Sequence, residues 1–229
     1  MADKARVKAI LAELKARANP KNVEGMARYG INPHNVLGVS VPFLRGIARR
    51  EGRDHEAAQQ LWASGIHEAR IVAALIDKPD EVTEEQMERW VLDFDSWGVC
   101  DQCCSNLFDR TPLAYRKAGE WSERNEEYVK RAGFVLMAAL AVHDKKASDE
   151  EFLGFLPIIQ RESSDERNFV KKAVSWALRQ VGKRNARLNA EAVRVARSIQ
   201  ATDSKSARWI AADALRELTS EAVQNRLRR

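Results

Sequence analysis

The chain has 229 residues, 45% hydrophobic and 31% charged, enough apolar content for one substantial domain or two small ones. Its formal charge of +5 is unevenly placed: residues 1–115 hold 15 Lys and Arg against 17 Asp and Glu, a net of −2, whereas residues 116–229 hold 23 against 16, a net of +7. The longest apolar run, Phe134 to Val142, is far short of the roughly 20 residues a membrane helix needs.

The N-terminus alternates charged and apolar residues from Lys4 onward and lacks the apolar core of a signal peptide, so a cytoplasmic protein is expected. The only cysteines, Cys100, Cys103 and Cys104, are odd in number and tightly clustered. This argues for a reducing compartment and for core packing rather than disulfides. A zinc site would need a second pair of ligands, and the four histidines are scattered singly, so neither metal nor cofactor is expected.

In chain order, Val7, Ile10, Leu11 and Leu14 recur at i, i+3, i+4 and i+7, one face of a helix that Asn19-Pro20 ends. Ser40 followed by Pro42 marks another helix start. Thr83-Glu84-Glu85-Gln86 and Ser148-Asp149-Glu150-Glu151 have the form of capping boxes, opening helices that carry Met87, Trp90, Val91 and then Phe152, Phe155, Leu156. Between them, Trp97 and Asp101 stand four residues apart, so on a helix the indole and the carboxylate lie on one face together with Cys104. Downstream, Lys172, Trp176, Arg179 and Lys183 follow helical spacing along a single stripe. Strand alternation is nowhere sustained, and an all-α chain is expected.

A weak internal echo supports a repeat architecture. Tyr128-Val129-Lys130-Arg131-Ala132 resembles Phe169-Val170-Lys171-Lys172-Ala173, and Ala207-Arg208-Trp209-Ile210-Ala211 is a fainter third copy. The matched alanines are 41 and then 38 positions apart, a period of two-helix HEAT or armadillo units. The expectation is therefore an α-α superhelix, one curved domain over residues 1–229, with Lys130, Arg131, Lys171, Lys172 and Arg208 brought toward one side of a basic concave face. Composition alone leaves a plainer alternative open: Trp97 and Trp176 as core fillers, Asp101 as a solvated or capping residue, and the basic helices as solvated faces. Against it, a core-facing Trp176 would drag Lys172, Arg179 and Lys183 inward at high cost.

Four stretches taken in order resemble the AlkD-like, HEAT-repeat family of DNA alkylation-repair glycosylases. They are Met26-Ala27-Arg28-Tyr29 with Gly38-Val39-Ser40-Val41-Pro42 and Leu44-Arg45, then Ser96-Trp97-Gly98-Val99-Cys100-Asp101, then Val129-Lys130-Arg131-Ala132, and finally Lys172-Ala173-Val174-Ser175-Trp176-Ala177-Leu178-Arg179. The matches span residues 26–183. The resemblance implies a monomeric enzyme that removes cationic N3- and N7-alkylated purines from double-stranded DNA and is nucleoid-associated when bound. By position it makes Trp97 and Trp176 aromatic walls, Asp101 the catalytic carboxylate, and Arg131 a phosphate-side or carboxylate-orienting cation. Tyr29 becomes a further aromatic beside the cleft, with Lys130, Lys171, Lys172, Arg179, Lys183 and Arg208 as DNA-binding cations. Two departures stand out: Ser96 occupies a position where the family carries a second tryptophan, and the segment between Tyr29 and Gly38 is short.

The chemistry is consistent with those residues. An alkylated purine cation leaves as a neutral base, so no general acid is needed, and the developing charge is on an oxocarbenium-like sugar. A fixed carboxylate stabilises that charge, and indole faces attract the cationic base by about 0.5–2 kcal/mol each. The alternatives are a non-catalytic helical-repeat protein that recognises distorted or branched DNA, which the same cations and Ser96 would suit, and a protein-interaction scaffold.

Overall fold

The computed structural model describes residues 2–228, and among them there are fourteen α-helices and no strand. The chain divides into two compact units, one ending at Thr111 and one beginning at Pro112. No helix among the described residues is long and apolar enough to cross a membrane.

The first unit holds α1 (Ala2–Ala16), α2 (Pro20–Arg28), α3 (Val41–Glu51), α4 (His55–Ala63), α5 (His67–Ile76), α6 (Glu84–Leu92) and α7 (Trp97–Asn106), closed by a 3₁₀ turn at Phe108–Arg110. Helices α3, α5 and α7 form one row, with α5 between its neighbours, and α1 and α4 pack beside it. Val7, Ile10 and Leu14 are buried as their spacing requires, and Leu11 lies at the edge of that face. Trp62 of α4 and Trp90 of α6 stack almost parallel with centroids 3.9 Å apart. Both rings are removed from solvent, which makes this pair the centre of the unit's core.

The second unit holds α8 (Ala114–Ser122), α9 (Glu127–His143), α10 (Asp149–Arg161), a 3₁₀ turn at Glu162–Ser164, α11 (Asn168–Gly182), α12 (Ala186–Gln200), α13 (Lys205–Leu218) and α14 (Glu221–Leu227). Here two rows are plain: α9, α11 and α13 stack in one, and α8, α10 and α12 in the other. The echo seen in the sequence falls on the first turns of α9, α11 and α13, and its alanines Ala132, Ala173 and Ala211 are all fully buried between rows. This is the HEAT-like repeat expected from the period.

Close approach is built in with glycine. A Cβ on Gly133 of α9 would stand 2.5 Å from the Ser122 nitrogen and 2.9 Å from the Ala118 oxygen of α8. Arg184 ties off the end of α9 by donating to the carbonyls of Ala141 and Asp144 at 2.9 and 2.7 Å, while its guanidinium lies 3.9 Å over the Phe152 ring.

The helix starts expected from sequence are present, but not every side chain caps as its motif suggests. Thr83 accepts from the Gln86 N–H at 3.2 Å, yet Gln86 turns away to donate to Asp77 at 2.6 Å instead of closing the box. Ser40 and Ser148 occupy cap positions without a side-chain cap bond. The reason at Gln86 is energetic: a fully buried carboxylate at Asp77 needs donors more than an exposed helix end does.

Candidate functional site

In the first unit, α7 begins at Trp97, with Ser96 in extended backbone as its cap. Trp97 and Asp101 therefore do stand one helical turn apart, and both are half-buried. The indole N–H of Trp97 donates to the Tyr29 carbonyl at 2.9 Å, which fixes the ring against the end of α2. Tyr29 itself projects into solvent, 77% exposed. Gly98 lets the first turn of α7 seat closely, since a Cβ there would lie 3.0 Å from Ile31 and 3.1 Å from the His67 ring. Beneath Asp101 the three cysteines are fully buried, and burial pushes the Cys103 and Cys104 thiols well above their ordinary range. They are packing groups, in keeping with their small size. Ser96 is buried too, its hydroxyl without a partner among the described residues.

The loop after Tyr29 is held by an acid that the sequence does not advertise. Glu68 of α5 is fully buried, and its carboxylate accepts from the backbone N–H groups of Leu37, Gly38 and Val39 at 2.9, 2.7 and 3.2 Å. Gly38 sits at φ 78° beside the Asn19 carbonyl, where no side chain would fit. Together these contacts explain how so short a connection is ordered. The only sequence signal is an isolated acid at the head of an otherwise apolar helix.

In the second unit, Trp176 lies on α11, half-buried, and its indole N–H donates to the Gln180 side-chain oxygen at 2.9 Å when that amide is turned to face it. The stripe containing it is less open than its spacing suggests. Lys172 is exposed, but Arg179 pairs with Glu217 and with Asp213 at 3.3 Å, and Lys183 also pairs with Glu217. Burial raises the Glu217 carboxyl, but hydrogen bonds from Lys183 and Arg179 outweigh that and hold it below the usual carboxylate range. Two acids of α13 thus neutralise part of the track within the protein.

The cations of the echo differ among themselves. Lys130 and Arg131 are buried, 8% and 6% exposed. Lys130 donates to Glu162 at 2.6 Å, and Arg131 donates to the Phe169 carbonyl at 2.6 Å, joining α9 to α11. Lys171 lies 5.1 Å over the ring of Trp209, an aromatic that is 41% exposed. Arg208 is exposed and, among the described residues, reaches only Asp203, at 3.2 Å, and the Thr202 carbonyl. Surface pairs of that kind are worth about 0–1 kcal/mol and do not withhold a cation from a stronger anion. The five do not form one uniform exposed face: Lys172, Arg208 and the edge of Lys171 are open, whereas Lys130 and Arg131 serve the joint between helices.

The unit of the first row thus carries one indole and the carboxylate, and the second unit carries the other indole and a partly neutralised set of cations. Comparisons with known proteins bear on what such a set does. The family described as DNA alkylation repair enzyme matches residues 10–218. An uncharacterised protein, Lin0241 of Listeria innocua, is 26% identical over 126 residues, 53% of this chain and 56% of that protein. Its counterpart Lmo0209 of Listeria monocytogenes is 25% identical over the same lengths. The match spans just over half the length of these curated relatives. Among solved structures, one described as "a new family of proteins related to the HEAT-like repeat DNA glycosylases with affinity for branched DNA structures" superposes with a TM-score of 0.77 at 19% identity, covering 96% of this chain and 95% of that one.

Proposed function

The chain belongs to the DNA alkylation repair enzyme family, and on that premise we propose that it is a DNA glycosylase releasing N3- and N7-alkylated purines from duplex DNA. The observation that carries the reading is the Trp97–Asp101 pair on the first turns of α7: an indole anchored through its N–H to Tyr29, with a half-buried carboxylate one turn away. In this reading the carboxylate of Asp101 stabilises the positive charge growing on the deoxyribose as the C–N bond lengthens, and it orients the water that completes the hydrolysis. The electrons of that bond leave with the purine, whose own positive charge they cancel, so the base departs neutral without a proton donor. Trp97 offers the indole face to the cationic base or to the sugar's C–H edge. Trp176 has the same assignment from the second unit, where Lys172, Lys171 and Arg208 supply phosphate contacts. Arg131, bound to the Phe169 carbonyl, orients rather than reacts. The test is release of 7-methylguanine or 3-methyladenine from N-methylated duplex DNA. Wild-type protein should outpace Asp101→Asn at least tenfold, about 1.4 kcal/mol of transition-state stabilisation. Equal rates would remove the proposal.

A second reading is favoured by Ser96, which stands where the family has a further tryptophan, and by the affinity for branched DNA described for the structural relative. It is a non-catalytic protein binding distorted or branched duplexes. Its mark would be salt-sensitive binding that prefers a junction over linear duplex and does not respond to Asp101→Asn.

A further inference from the structure

The residues that sequence charge singled out lie in the basic C-terminal part of the chain, but the first unit, with fewer cations, also holds a cluster of exposed ones. On α3, Arg45 and Arg49 are one turn apart, and Arg53 follows just beyond the helix end. With Leu75 of α5 they line an open depression of about 540 Å³ in which no carboxylate takes part. Among the described residues none of the three guanidinium groups forms an ion pair. Arg45 donates only to the amide oxygens of Gln102 and Asn106, at 3.2 and 3.3 Å. Arg53 donates to the Asp77 carbonyl oxygen, and among the described residues Arg49 has no hydrogen-bond or ion-pair partner. Asp77, the acid whose charge acts on Arg53, is fully buried and held by His55 at 2.7 Å and Gln86 at 2.6 Å. Burial, and then the positive charge of Arg110, push the Arg53 guanidinium below its ordinary value, while the charge of Asp77 opposes them less strongly.

Three exposed arginines lining one depression, none in an ion pair among the described residues, concentrate positive potential there. In the same protein Arg50, one residue from Arg49, is fully engaged by Glu13 and Glu51. We propose that the α3 depression is a phosphodiester-binding site that engages consecutive phosphates of a nucleic-acid backbone. The guanidinium fork matches a phosphate's paired oxygens. Arg45 and Arg49 are offset by about 6 Å of helix rise, and Arg53 lies beyond the helix end, a spread suited to successive phosphates of one chain. Arg45 also bridges to α7, the helix of Trp97 and Asp101, so a backbone lying here runs beside the candidate catalytic turn. The partner class rests on the reading above; the anion chemistry does not.

The probe is an unmodified 20-base-pair duplex, so binding is read without any base release. The full chain is titrated against it at several potassium chloride concentrations, alongside R45E/R49E and a control reversal on exposed α12 positions, R194E/R197E. R49A, at a residue with no hydrogen-bond or ion-pair partner to lose among the described residues, guards against a folding defect in the double variant. For the double variant the slope of log affinity against log salt should fall by about 1.8, near 0.9 per phosphate contact, with affinity at least tenfold weaker than that of the control. R49A should lower the slope by about 0.9. The proposal is overturned if the double variant and the control bind alike, or if wild-type protein shows no salt-dependent duplex binding. It is overturned equally if inorganic phosphate alone binds with Arg49 dependence while duplex affinity ignores it. Duplex binding by the wild type that is lost in R45E/R49E, with no base release by the wild type, would sink the glycosylase reading and leave this site standing; base release by the wild type with duplex affinity unchanged in R45E/R49E would do the reverse.

Discussion

Tryptophan in this chain does two jobs, separated by surroundings rather than by neighbours in sequence. Trp62, Trp90 and Trp121 are buried core residues, whereas Trp97 and Trp176 are half-buried, each with its indole N–H bound to an oxygen on one side and ring surface left to solvent on the other. The spacing of Trp97 and Asp101 was legible because a helix converts four residues into one face. Exposure was not legible, because it depends on what the next helix covers. Trp97→Phe keeps the ring but drops the bond to Tyr29, and should cost about 1 kcal/mol in urea unfolding; no change would mean the bond adds nothing to the fold. His67, invisible among four scattered histidines, is packed against Gly98, and burial lowers its pKa below the ordinary value of 6.5. Arg70 adds to that shift, and Glu68 and Asp95 oppose it. The sign follows: below 6.5 the unfolded chain takes up a proton that the folded chain resists, so stability is full above that pH and declines as pH falls beneath it. Urea midpoints at pH 7.5 and 5.5 should differ more for wild type than for His67→Gln, and equal differences would exonerate His67.

Among elements, the joints decide more than the helices do. Helix starts were readable from prolines, threonines and the echo near 40 residues, since those signals are local. The side-chain bonding at the caps was not, since Gln86 answers to a buried carboxylate brought from another helix. The same logic hid Glu68, whose worth depends on three backbone donors some thirty positions away. Glycines give a clean contrast at this scale. Gly133→Ala forces backbone of α8 away from α9 and should destabilise by about 2–3 kcal/mol, as overpacking does. Gly154→Ala in α10 meets nothing within 4 Å and should stabilise by about 0.5–1 kcal/mol through helix propensity. Thermal or urea unfolding of the two variants distinguishes them, and a neutral Gly133→Ala would mean α8 and α9 can part at little cost.

For the whole molecule, net charge was a coarse guide. The halves differ by sign, yet the second unit spends several of its cations on Asp213, Glu217 and Glu162, while the first leaves Arg45, Arg49 and Arg53 without an ion pair among the described residues. Their spacing at i, i+4 and i+8 was present in the sequence, masked by the acids that follow at residues 51–95. The HEAT-like fold and the family were within reach of motif order and period, because repeats restate their own pattern. Catalysis is a property of one carboxylate and asks for one experiment. Single-turnover release of 7-methylguanine from a duplex carrying one such base, measured beside duplex affinity, compares wild-type protein with Asp101→Asn. The account predicts a rate at least tenfold lower for the variant with affinity held within about twofold. Base release that proceeds equally in both, or in neither, contradicts it.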